Sequence, residues 1–196
     1  MLAAGGALWF LLLTALAAPA QEGTHPMTHQ VPADPNAVVM QWRSDGDLAG
    51  EASGPDLTLR ADGRVTLGPR FGRGRPVEGR ITEDELQDLL RFALDENAFF
   101  AFEPVKVARQ LEQSGAAQAR SSPPGEAVAV PAGPPYMDAG TTTILIAADG
   151  RRHEVSYHGL FAAAREHPDS KPLAQLRAIE LRLLDLAQRI AAAAGQ

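Results

Sequence analysis

The chain has 196 residues, 45% of them hydrophobic and 21% charged, and no cysteine. That is ordinary globular composition, and the missing thiols exclude disulfide staples, cysteine nucleophiles, thiolate metal sites and iron–sulfur clusters. With 24 acidic against 18 basic residues the formal charge is −6, which argues against a general nucleic-acid or anionic-membrane binder.

Residues 1–20 carry no acidic or basic side chain, and Ala7 to Ala18 form an almost unbroken apolar run. The run is short of the roughly 20 apolar residues a bilayer span needs. It ends in Ala18-Pro19-Ala20, with small residues where a signal peptidase reads them. The segment therefore predicts a signal peptide cleaved before Gln21, with export to the periplasm or beyond and no stable membrane span afterwards. An uncleaved anchor is the rival, and the absence of a following Cys excludes a lipoprotein anchor. Residues 21–36 hold three prolines and no apolar periodicity, so they read as a flexible leader.

A single domain is expected over 37–194. Val38 to Trp42 read as a strand leading into a Ser44-Asp45-Gly46 turn. Leu57, Leu59, Val65 and Leu67 share one parity around Ala61-Asp62-Gly63, which predicts a hairpin with an odd, three-residue loop and Gly63 left-handed. In the second block, pairing Ile144 and Ile146 with Val155 and His153 requires an even loop. Asp149-Gly150 then forms a two-residue type I′ turn.

The first helix is announced by Thr82 and Glu85, a capping box, with Ile81 and Leu86 as its hydrophobic staple. Leu86, Leu89, Leu90, Ala93 and Leu94 give it one apolar stripe. Between the blocks, residues 110–135 read as a disordered Pro/Gly/Ser/Ala-rich insertion, since Ser114, Gly115, Pro123, Pro124 and Gly125 discourage a helix. The last helix is expected to begin near Ser170 with Pro172 in its first turn. Its stripe is Leu173, Leu176, Ile179, Leu183, Leu186 and Ile190, widened by Leu181 and Leu184. The fold class that follows is α+β, an antiparallel sheet built from two Asp-Gly hairpins and packed on one face by two helices.

The order strand, Asp-Gly turn, strand, Thr-x-x-Glu-capped leucine helix, then Asp138-x-Gly140-Thr141-Thr142-Thr143 entering a second hairpin resembles uncharacterised exported bacterial α+β proteins of unknown function. The likeness runs from about residue 40 to 190. It implies export and an α+β fold, and it brings no catalytic residues with it.

The chemistry-bearing residues are few. His153-Glu154 with His158 imitates a zinc-protease motif, but that motif sets its two His four apart on a helix. Here they are five apart in strand-like sequence, which turns the imidazoles to opposite faces; His153 reads instead as edging the core. His25, Met27 and His29 offer copper-type donors in a leader without fixed geometry, so no metal or other cofactor is expected. Arg70, Arg73 and Arg75, with Arg80 nearby and Phe71 among them, form a basic Gly-rich loop able to grip phosphate or an acidic glycan. Ser156, His158 and Asp138 can be assembled into a hydrolase triad, although no G-x-S-x-G elbow, P-loop or dinucleotide fingerprint accompanies them. The sequence thus reads as an exported, non-enzymatic interaction module binding an envelope protein or glycan, with an exported hydrolase as the alternative. Nucleic acid is not an expected partner.

Overall fold

A computed structural model describes residues 28–45, 54–121 and 139–195. The expected signal segment, residues 21–27 and much of the expected insertion lie outside the described residues.

The chain forms an α+β domain around a six-stranded antiparallel sheet of order β4-β3-β2-β1-β5-β6. The strands are β1 Val38–Asp45, β2 Leu57–Arg60, β3 Arg64–Leu67, β4 Val77–Arg80, β5 Thr141–Ala148 and β6 Arg151–His158. Among the described residues four α-helices accompany them: α1 Glu83–Arg91, α2 Pro104–Ser121, α3 Leu160–Glu166 and α4 Lys171–Ala194. No helix among the described residues is long and apolar enough to cross a membrane.

Alternation along the strands sorts the side chains. Met40 faces Ile146 and Leu59, Trp42 faces Ile144 and Leu57, and Leu57 faces Leu67. These residues join Leu86, Leu89 and Leu90 of α1 and Leu173, Leu176, Ile179 and Leu183 of α4 in one buried cluster. Each fully buried Leu or Ile contributes about 1.5–3 kcal/mol relative to exposure.

The two Asp-Gly turns differ in length. Arg60 and Arg64 flank Ala61-Asp62-Gly63, where Gly63 has φ +80° and its N–H donates to Arg60 O at 3.0 Å. Ala148 pairs directly with Arg151, leaving Asp149 (φ +53°) and Gly150 (φ +67°) as a two-residue turn. Positive φ at both positions matches the right-handed strand twist.

Helix α1 begins at the Thr82 capping box, with Glu85 N–H donating to Thr82 Oγ1 at 3.2 Å and Thr82 N–H to Glu85 Oε2 at 3.1 Å. It does not stay regular through Leu94. Residues Phe92–Glu96 widen into a π turn, closed by Asn97, whose N–H and Nδ2 both donate to Phe92 O. The next residue, Ala98, is left-handed at φ +48°.

Other expectations are corrected. Strand β1 does not stop at Trp42 but continues through Asp45, because Arg43, Ser44 and Asp45 pair with Thr143, Thr142 and Thr141. Residues 110–121 are helical, as the second part of α2. Ser114 and Gly115 are single weak formers among Leu, Gln, Ala and Arg, and one interior Gly costs only about 1 kcal/mol. The leader ends earlier than Asn36: His29 is buried, Val31 packs on the core, and Asn36 O accepts from Arg60 Nη1 at 2.6 Å. Leu181 does not widen the buried stripe of α4; it is 47% exposed.

Candidate functional site

The polar face of the sheet is built by register. Glu78, Thr66, Thr58, Gln41, Leu145 and Glu154 stand in one row across all six strands. A second row brings Arg43, Thr143 and Ser156 together, and a third Asp45, Thr141 and His158. Gln41, Arg43, Thr143, Glu154 and Ser156, with buried Leu145 at its base and Gly54 and Pro55 at one side, line a cavity of about 270 Å³. Arg43 Nε is paired with Asp45 at 3.0 Å.

Of the expected hydrolase constellation, the described residues include Ser156 and His158, two residues apart on β6. Ser156 Oγ is 3.0 Å from Thr143 Oγ1, its cross-strand neighbour, and His158 Nδ1 lies 3.3 Å from Thr141 Oγ1. Asp138 lies outside the described residues. His153 points to the core side, its Nε2 3.1 Å from Phe102 O and its ring edge-on to Phe99 at 5.5 Å.

The three arginines of the basic loop divide into two roles. Arg70, 40% exposed, folds back onto the domain: its Nε is 2.7 Å from Asp56 Oδ1, and its guanidinium sits 4.9 Å from the Trp42 ring and 5.0 Å from Phe71. Asp56 is 6% exposed at its side chain and also accepts the Ser44 N–H at 2.6 Å. Burial raises the Asp56 carboxyl above the ordinary aspartate range, against the lowering effects of Ser44 and Arg70. Arg73 and Arg75 are exposed. Arg73 itself is left-handed at φ +53°. Arg80 reaches Asp62 at 3.3 Å.

Two polar clusters were invisible in the sequence. In the first, Glu180 of α4 is buried, accepts from Thr142 Oγ1 at 2.7 Å and is paired with Arg177. Arg177 lies 5.2 Å from the exposed Phe161 ring. Glu180 falls within the leucine periodicity of α4, the one available signal that it faces inward.

In the second, His29 is 8% exposed, with Nδ1 2.8 Å from Asp149 Oδ2 and Nε2 3.2 Å from Asp95 Oδ2. Its N–H donates to Gln87 Oε1, and Gln87 Nε2 returns a bond to His29 O. Partial burial works against the charge of Asp149, yet the His29 ring, the Gln30 N–H and Arg151 hold its carboxyl below the ordinary range. Beside it Thr28, Leu94, Asp95, Ala98, Phe100 and Arg151 bound a cavity of about 530 Å³. With both ring nitrogens occupied, His29 is not the free copper donor the leader offered; His25 and Met27 lie outside the described residues.

Fold and clusters together define a class, an α+β domain on a six-stranded antiparallel sheet. No protein-family model, curated protein or solved structure matches the chain.

Proposed function

We propose that the chain is an exported, non-enzymatic interaction module of the periplasm or cell surface that takes an envelope protein or glycan on the polar face of its sheet. In this proposal two Asp-Gly hairpins flank β1 and the helices lie against the opposite face. The observation that carries it is the six-strand row from Glu78 to Glu154 and the cavity at its β1–β5–β6 end. Acids, an arginine, hydroxyls and an amide alternate there at strand spacing, offering donors and acceptors in register. Neutral hydroxyls at Thr143 and Ser156 bond each other, which suits a recognition surface better than a primed nucleophile, since a serine nucleophile needs a base on its hydroxyl.

The test is a photo-reactive residue placed at Thr143 in the expressed chain. One dominant adduct is expected, at an envelope component, and it should disappear with Arg43→Glu. Sequencing of the same material should begin at Gln21. No adduct, or turnover in a broad hydrolase screen that is lost in His158→Ala, would replace this reading with the enzymatic one.

A further inference from the structure

We propose that His29 is a protonation-controlled latch that holds the segment before β1 across the ends of both Asp-Gly turns. The inference rests on the His29 cluster and does not depend on what the polar sheet face binds.

Residues 28–37 are fastened at two ends. At one, Gln30 N–H donates to Asp149 Oδ1 at 2.7 Å, and Asp149 N–H donates to Gln30 O at 2.8 Å. At the other, Asp62 N–H donates to Pro35 O at 3.1 Å and Ala61 N–H to Ala37 O at 3.0 Å. The segment therefore straps the β5–β6 turn to the β2–β3 turn. Its first end depends on the imidazole.

Three elements pack against that ring: the π turn presents Asp95, the β5–β6 turn presents Asp149, and α1 presents the uncharged Gln87 amide. Among the described residues Arg151 adds a further charge; it shares the cavity wall and stacks 4.3 Å from the Phe100 ring. Ionised carboxylates only accept hydrogen bonds, and a neutral imidazole has one N–H. A neutral ring in this place thus sets one nitrogen lone pair against a carboxylate oxygen at 2.8 or 3.2 Å. The doubly protonated ring serves both acceptors. The ring itself is 8% exposed, so its lone pair is out of reach of water even though Asp95 and Asp149 are 38% and 40% exposed, and an unmatched buried lone pair is costly.

Loss of the proton therefore releases the Asp95 or the Asp149 side of the clamp. The Gln30–Asp149 pair and the seat of Val31 lose their anchor, and the strap lifts from a cavity walled by Leu94, Ala98 and Phe100. The device is closed when the ring is doubly protonated and open when it is neutral.

The test follows the full-length chain by NMR. The ring 15N signals of His29 report its protonation, and amide exchange at His29 and Gln30, corrected for intrinsic rate, reports closure. Losing one charge-assisted bond of about 1.5 kcal/mol should cut protection about tenfold as the ring deprotonates. Asp95→Asn supplies the discriminating variant: an amide both accepts and donates, so either ring state is served and protection should become independent of pH. Protection that stays flat through the wild-type titration would overturn the latch. So would an Asp95→Asn protein that retains the wild-type pH profile.

Discussion

Gly79 of β4 lies so close to Ile190 of α4 that a Cβ on the glycine would stand 2.6 Å from Ile190 Cγ2 and 2.9 Å from Cδ1. The missing side chain is what lets the C-terminal turns of α4 settle on the sheet edge beside Val65, the cross-strand partner of Gly79. Gly79→Ala should destabilise the domain by about 1–3 kcal/mol, the usual cost of overpacking. Urea denaturation measures it. Combining Gly79→Ala with Ile190→Ala should recover part of the glycine penalty, whereas strictly additive losses would mean that the contact does not limit packing.

Arg70 and Arg73 should respond in opposite ways to truncation. Arg70→Ala strips a cation from buried Asp56 and from Trp42, and should cost about 1–3 kcal/mol. Arg73→Ala, on an exposed loop, should stay within about 0.5 kcal/mol. The Asp56 carboxyl is raised by burial, so its contribution is fully present below the ordinary aspartate value and is lost as pH rises through its higher native one. The Arg70→Ala loss should therefore grow across that rise, and thermal melts at a series of acidic pH values would show it. Equal effects at the two arginines would contradict the assignment of Arg70 as a structural residue.

Asp149 works with the other sign. Its carboxyl is held low, chiefly by the His29 ring once the opposing burial is overcome. Its stabilisation is fully present above the ordinary aspartate value and is lost as pH falls through the lower native one. Asp149→Asn keeps a residue tolerant of left-handed backbone but has no charge to titrate. The variant should be less stable at neutral pH and should show a shallower stability slope as pH falls below the ordinary aspartate value. Parallel wild-type and variant slopes would remove Asp149 from the acid transition.

Thr82→Ala should cost about 0.5–2 kcal/mol, because one hydroxyl satisfies the Glu85 N–H at the head of α1. Thr82→Ser should restore most of it. A circular-dichroism melt of the two variants decides the point, and equal midpoints for Ala and wild type would mean that the cap contributes nothing.

Thr82 also shows what kind of information is legible along the chain. Its partner is three residues away, so residue type and spacing alone specify the helix start, just as alternation specifies the strand character of Leu57–Arg60. Gly115 shows where the same reasoning fails. A single weak former is readily outvoted by its helical neighbours, and α2 runs through it. The π turn at Phe92–Glu96 is likewise silent in the sequence, since its apolar spacing differs from that of an α-helix by one residue.

What the sequence determined by itself was therefore the local grammar: an α+β antiparallel class, the capped start of α1, and the leucine face of α4. Tertiary structure alone decided the destinations of its polar residues. His29 meets a carboxylate 120 residues away, Glu180 meets Thr142 across 38, and Arg70 turns from the expected outward grip toward Asp56 and Trp42. The physical reason is range. Caps and alternation depend on neighbours within a turn or a strand, whereas a buried charge is placed by whichever distant partner the folded sheet brings within hydrogen-bond reach.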